Sequence, residues 1–275
     1  MEGRREIAAS RAMGQRVDFG ANAPIYDRRH GAALSADVAR SLCSAGELGR
    51  GARVLDVGAG TGRVSIALAD LGCDVVAVDP SVPMLIALRS KSANTSIPIV
   101  AAEGAHLPFR PESFDVVIFA RILYVMADWK ASLREAFHTI KAGGLLFHEW
   151  GNGGAGEAWV QIREKARRLF EDAGVENPFH PGAREEGDVD AYLLAHGFVR
   201  KEILEAGPGP STTLGDFLVR VESGELSYIW AVPEQVREDC LPKLRTWCEQ
   251  TFDLEQLAPM PLALQWAIYE KVSTA

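Results

Sequence analysis

The sequence predicts an α/β protein: a doubly wound, seven-stranded, mostly parallel sheet with a helical insert between the last two strands. Three observations predict it. Short runs of Val, Ile, Leu and Phe recur along the chain and are nearly continuous, the pattern of strands covered on both faces. Segments with apolar residues three and four apart lie between these runs, so strand and helix alternate. A glycine-rich turn joins the first strand to the next helix, at the carboxyl ends of the strands, where such sheets bind ligands.

The elements follow in order. Leu34, Val38 and Leu42 are four apart and mark a helix ahead of the sheet. The first five strands are Arg53–Val57, Asp74–Asp79, Ile97–Ala101, Phe114–Ala120 and Leu145–Trp150. Between them, Val64, Ala67, Leu68 and Leu71 form one helical face, closed by Gly72. Met84, Leu85 and Leu88 form a second, opened by Pro83. Leu133, Ala136, Phe137 and Ile140 form a third, stopped by Gly143-Gly144. A flexible stretch at 151–156 precedes a helix with Trp159, Ile162, Ala166, Leu169 and Phe170 on one face. Its other face carries Arg163, Lys165, Arg167 and Arg168, which read as a solvated face. Asp190–His196 reads as a helix, Val199–Leu204 as the sixth strand and Gly207–Pro210 as a turn. Residues 211–260 read as all-helical. Thr213 and Asp216 form a capping box, and Val236, Cys240, Leu244, Trp247, Cys248 and Phe252 share one face. Ala263–Val272 reads as the seventh strand. The expected organisation is a front cap (1–34), a sheet domain (35–206 plus 262–275) and a helical lid (207–261).

Composition narrows the function. Of 275 residues, 47% are hydrophobic and 24% charged, which excludes disorder as the dominant state. No run of ~18 apolar residues is present, so no spanning helix is expected. The first residues lack the apolar stretch of a secretory signal, so a cytoplasmic location is expected. The net charge of −8 argues against nucleic acid or an anionic membrane as the main partner. The four cysteines make no C-x-x-C pair, give no support to a zinc ribbon or dithiol redox site, and read as reduced thiols. No His/Asp cluster has metal-ligand spacing, so no metal is expected. Monomer and homodimer both stay open.

The chemistry lies in Asp56-Val57-Gly58-Ala59-Gly60-Thr61-Gly62. Glycines there let the backbone turn sharply and let a ligand approach main-chain N–H groups. The spacing is not that of a dinucleotide fingerprint, because Arg63 stands where its third glycine would be. No Lys-Ser/Thr follows, which excludes a nucleotide P-loop. Asp79 ends the second strand and can accept hydrogen bonds from both hydroxyls of a ribose. Glu103, after the third strand, can accept from an exocyclic amine.

In order and spacing this set resembles the class I S-adenosylmethionine-dependent methyltransferases, in the small-molecule branch similar to ubiquinone/menaquinone methyltransferases. Val54–Gly62, Val78–Ser81 with Met84-Leu85, Leu107–Phe109, Phe114–Val117 and Lys141–Leu145 carry the resemblance, which covers about residues 35–150 closely. It implies the Rossmann-like methyltransferase fold and S-adenosyl-L-methionine as cofactor, with S-adenosyl-L-homocysteine as product. It places Gly58, Ala59 and Gly60 against the methionine part, Asp56 at its amino group, Asp79 with Pro80 at the ribose, Met84 near the adenine, and Glu103 and Gly104 at the adenine edge. The family usually has Asp where Glu103 stands and Gly where Ala102 stands. Tyr26 lies in a pre-core segment that in relatives often folds over the cofactor.

Methyl transfer is an in-line displacement that needs alignment and exclusion of water, and a base only where the acceptor carries a proton. The candidates are Arg121 and Tyr124 after the fourth strand and His148 at the end of the fifth, with neutral His suited to take a proton. Trp159, Phe217, Tyr228 and Trp230 are candidates for acceptor-pocket walls or for lid packing. The expected function is methyl transfer to a small organic acceptor, lipid-like or a secondary metabolite. The alternatives are a cofactor-binding protein without turnover, acting as regulator or assembly partner, and a related transferase using the same cofactor.

Overall fold

In the computed structural model the first strand, β1 (Arg53–Val57), has every residue after Arg53 buried, as a run of branched apolar residues flanked by two strands requires. The structure describes residues 19–20, 26, 34–93, 95–150, 157–175, 181–205, 212–258 and 265–272. In chain order the described elements are α1 (Ala36–Ala45), β1, α2 (Arg63–Asp70), β2 (Asp74–Val78), α3 (Val82–Lys91), β3 (Ile99–Val100), β4 (Phe114–Ala120), α4 (Trp129–Thr139) and β5 (Ile140–Trp150). Then come α5 (Glu157–Asp172), α6 (Glu186–Ala195), β6 (Phe198–Glu205), β7 (Thr212–Thr213), α7 (Leu214–Glu222), α8 (Glu234–Thr251), β8 (Leu257–Ala258) and β9 (Gln265–Lys271), with one 3₁₀ turn at Ser227–Ile229.

Seven strands form one sheet in the order β3-β2-β1-β4-β5-β9-β6. The pairs among β1 to β5 are parallel, and β9 runs antiparallel between β5 and β6. The strand order reverses beside β1, so the carboxyl ends of β1 and β4 flank the natural ligand crevice. Alternate residues feed two cores. Val54, Val116, Ile118 and Phe147 pack with α1 and α2 on one face, whereas Leu55, Val117, Phe119 and Leu146 pack with α4 and α6 on the other.

The chain forms two units. One, the α/β unit, comprises residues 19–154, 181–209 and 261–275. The other, a helical unit, comprises 1–18, 155–180 and 210–260, so the helix after the fifth strand groups with the insert. Trp159, Ile162, Phe170, Phe217, Leu218 and Leu244 are among its buried core residues.

Sequence and structure differ in a few places. The fifth strand begins at Ile140 rather than Leu145, with a register shift between Phe114 and Val116. Buried Lys271 donates to the carbonyls of Phe137 and Ile140 (2.9 and 2.8 Å), satisfying groups that the end of α4 leaves open. Pro242 sits inside α8, and β7 pairs with β8, neither of which the residue pattern announced. The Thr213–Asp216 capping box is present. The basic side chains on α5 are partly neutralised on the same helix, Arg167 by Glu164 and Glu171 and Arg168 by Glu164. The four cysteines are free thiols, with Cys43 partly exposed and Cys73, Cys240 and Cys248 buried. The stretches 151–156 and 207–210 fall outside the described residues.

Candidate functional site

The glycine loop follows β1 and is tied to β2. The N–H groups of Gly58 and Ala59 both donate to the carbonyl of Val78, at 2.8 and 3.0 Å. The N–H of Gly60 donates to Asp79 Oδ2 at 2.9 Å. Gly58 has φ +73°, and a Cβ there would stand 2.5 Å from Ile122 Cγ1, so only glycine fits both the turn and its neighbour. Gly60 also has positive φ, +55°, and the Tyr26 ring lies 3.6 Å from where its Cβ would be. Tyr26 is therefore at the loop, with its ring edge-on to Phe19.

Three carboxylates stand at or just after the carboxyl ends of the first three strands. Asp56 is buried on β1, and its Oδ2 accepts from Ser65 Oγ at 2.5 Å. Burial pushes its carboxyl up to about 6, opposed by the Ser65 hydrogen bond and the Arg63 charge. Asp79 is buried too, with Oδ1 accepting from the Ser81 N–H at 2.8 Å. Burial raises its pKa, the Ser81 and Gly60 N–H groups lower it, and the charge of Glu103 raises it further. Glu103 is thus in electrostatic reach of Asp79, on an exposed turn. A Cβ on Gly104 would stand 3.0 Å from Met126 Cε and Ser132 Oγ, which leaves room for little beyond glycine. Met84 is buried on α3, and Pro80 is exposed beside Asp79.

The other part of the site rises from β4 and β5. Arg121 has φ +56°, an unusual conformation for a non-glycine residue. Its N–H donates to the Glu149 carbonyl at 2.9 Å and its Nε to Glu149 Oε1 at 2.7 Å. Arg63, the first residue of α2, donates to the other carboxylate oxygen of Glu149. Glu149 is fully buried, so this ion cluster clamps the glycine-loop helix to the ends of β4 and β5. Reading residues one at a time along the sequence missed it, because Arg63 and Glu149 are far apart in the chain.

His148 points to the opposite face of the sheet. It is fully buried, and among the described residues neither ring nitrogen has a hydrogen-bond partner. Burial pushes its pKa down to about 3, so the imidazole is neutral near pH 7. The rings of His148 and Tyr124 both stand edge-on to Trp150, each with centroids 5.8 Å away. The three predicted candidates from β4 and β5 therefore divide: Tyr124 and His148 meet around Trp150, and Arg121 is engaged with Glu149. Among the described residues no three His, Cys, Asp or Glu side chains are grouped as metal ligands.

The family described as "Methyltransferase domain" matches residues 55–148, the segment from β1 to β5 that holds the glycine loop and the three carboxylates. Demethylmenaquinone methyltransferase of Mycobacterium sp. (strain KMS) is 40% identical over 107 residues, 39% of this chain and 45% of that protein. The enzyme of the same name from Corynebacterium urealyticum is 38% identical over 100 residues, 36% of this chain and 42% of that protein. Residues 55–148 thus match a methyltransferase domain, and the same region is similar to demethylmenaquinone methyltransferases. The chain spans less than half the length of these curated relatives.

The methyltransferase fold extends beyond the matched segment. The YcgJ protein from Bacillus subtilis superposes with a TM-score of 0.60 at 16% identity, over 86% of this chain and 98% of that one. Phosphoethanolamine N-methyltransferase 2 from Haemonchus contortus, solved with S-adenosyl-L-methionine, gives 0.55 at 15% identity, over 93% of this chain and 57% of that one. The [4+2]-cyclase SpnF gives 0.56 at 15% identity, over 87% of this chain and 81% of that one. At these identities the likeness concerns the fold.

Proposed function

We propose that this chain transfers a methyl group from S-adenosylmethionine to a small organic acceptor. The observation that carries the reading is the buried Asp79 carboxylate, fixed by the Gly60 and Ser81 N–H groups at the switch in strand order. Each of its oxygens accepts one backbone N–H and keeps a further lone pair for an incoming donor. That suits the two hydroxyls of a ribose. Asp56 is placed to take a cationic amine, and its raised pKa falls back once a cation pairs with it. Gly58, Ala59 and Gly60 let the backbone approach the methionine part. Met84, Pro80, Glu103 and Gly104 form the adenine and ribose surround in this reading, and Tyr26 covers the loop from the front segment. When bound, the cofactor supplies an electrophilic methyl on a sulfonium.

The protein's own residues then orient the acceptor and exclude water. His148 offers one donor and one acceptor nitrogen, neither hydrogen-bonded among the described residues. We assign it to hold an acceptor hydroxyl and take its proton as the methyl moves, with Tyr124 beside it and Arg121 positioning through Glu149. With its pKa lowered by burial, neutral His148 is a weak base, so the proton leaves as the attacking oxygen becomes cationic and acidic. The curated relatives are named for demethylmenaquinone, so hydroxylated rings come first among acceptors to try.

A second reading is favoured by one observation. SpnF, a neighbour in fold, is a [4+2]-cyclase by name, so this architecture also serves chemistry other than methyl transfer. Incubation with S-adenosylmethionine and a panel of hydroxylated aromatic and quinol acceptors separates the two. Methyl transfer yields S-adenosylhomocysteine together with a product heavier by one methylene. Tight cofactor binding with neither product, across the panel and a small-molecule extract, favours a bound cofactor without turnover.

A further inference from the structure

His148 and Trp150 are two residues apart on β5 and so lie on the same face of the sheet, with Glu149 on the other. His148 is fully buried, whereas Trp150, the last residue of the strand, is partly exposed. Their ring centroids are 5.8 Å apart, with the planes at 73°. The partly exposed Tyr124 ring meets the same indole at 5.8 Å and 72°. Trp150 is therefore the ring shared by the buried imidazole and the rim of the site.

The backbone beneath the two rim aromatics is fixed. Trp150 pairs with Gln265 of β9. The carbonyls of Leu123 and Tyr124 accept from the Ala183 and Gly182 N–H groups at 3.0 and 2.9 Å. A Cβ on Gly182 would stand 2.2 Å from the Leu123 carbonyl oxygen, so this segment passes as close as glycine allows. An opening at this corner is thus side-chain rotation, a fast motion, rather than backbone movement. Among the described residues nothing hydrogen-bonds either imidazole nitrogen, and a buried polar group left unpaired costs free energy. A ligand hydroxyl that reaches His148 removes that cost.

We propose that Trp150 is a specificity-determining gate, closing the way to His148 and admitting planar hydroxylated rings. The indole swings aside, the incoming ring packs against it and Tyr124, and the ring hydroxyl meets a His148 nitrogen. Aromatic pairs are favoured offset-stacked or edge-to-face, contacts that a saturated molecule of the same size cannot make. When closed, the gate keeps water from the imidazole. This inference rests on the assignment of His148 to the acceptor and adds the residue that selects the acceptor.

Two measurements on the full chain test the gate without requiring methyl transfer. Diethyl pyrocarbonate acylates neutral imidazole, the form in which burial keeps His148 near pH 7. Acylation is mapped by mass spectrometry against the exposed His106 and His138. In the wild type His148 should react at least about tenfold slower than these two. Trp150→Ala should bring it within about threefold of them, and Trp150→Phe should keep most of the protection. Buried Cys73 should stay slow toward iodoacetamide in all three proteins, which distinguishes an opened gate from an unfolded chain. In calorimetric titration the wild type should bind naphthol at least about fivefold tighter than decahydronaphthol, and Trp150→Ala should lose that preference. His148 as fast as the exposed histidines in the wild type, or as slow in Trp150→Ala as in the wild type, would overturn the gate. Equal affinity of the wild type for the two alcohols would overturn the selection of planar rings. If both expected results hold and no acceptor is methylated, the gate stands and the assignment of methyl transfer falls.

Discussion

The α/β unit and the helical unit bury different things. Among the described residues, every buried polar or charged side chain belongs to the α/β unit: Asp56, Asp79, His148, Glu149 and Lys271 among them. The core of the helical unit holds Trp159, Phe170, Phe217, Leu218, Leu244 and their apolar neighbours, with Cys240 and Cys248 as its polarisable members. Its ion pairs, such as Arg245 with Glu222 and Arg167 with Glu164, lie at least partly in solvent, where such pairs contribute little. Burying a charge costs free energy that packing does not return. The unit that carries these costs is also the one in which the family match at 55–148 falls.

Glu149→Ala addresses this contrast with the largest expected effect. It leaves Arg63 and Arg121 without their shared buried carboxylate and should cost about 3–5 kcal/mol in urea unfolding. A loss below about 1 kcal/mol would mean the cluster is solvated in practice. In the helical unit, Leu244→Ala should cost ~2–5 kcal/mol by leaving a cavity, yet the folded fraction should bind S-adenosylhomocysteine as before. A weakened affinity there would place the cofactor site beyond the α/β unit.

A smaller effect separates the two buried titratable groups by sign. The Asp56 carboxyl is raised from 3.8 to about 6, so the folded state keeps a proton that the unfolded state has lost. Its contribution is fully favourable below its ordinary value, and roughly 3 kcal/mol of it is lost as pH rises through about 6. His148 is lowered from 6.5 to about 3, so its contribution is present above 6.5 and is lost as pH falls toward 3. Asp56→Asn should flatten the loss of stability on raising the pH from 4 to 6. His148→Gln should reduce acid unfolding between 6.5 and 3. The two variants with the same slope as wild type would show that neither group is desolvated.

The α/β unit could be read from the sequence because its signals are local. Val54–Val57, interrupted by Asp56, Val75–Val78 and Val116–Phe119 are nearly continuous apolar runs, and the glycine loop with Asp79 is a spaced motif. All seven sheet strands were expected, in an order that the fold class supplies. What escaped depends on tertiary proximity. Arg63 reaches Glu149, and Trp150 collects Tyr124 and His148. Nothing in the spacing of those residues encodes the contact. The candidate pocket aromatics show the same limit. Trp159 and Phe217 match the helical period and are packed together with ring centroids 3.9 Å apart, in the core of their own unit.

The most direct measurement is calorimetric titration of the full chain with S-adenosylhomocysteine, wild type against Asp79→Ala. The wild type should bind, and Asp79→Ala should weaken binding by more than about tenfold, ~1.4 kcal/mol, while remaining folded by circular dichroism. No detectable heat for the wild type at millimolar ligand, or equal affinity for the two proteins, would contradict the assignment of the glycine loop and Asp79 to the cofactor.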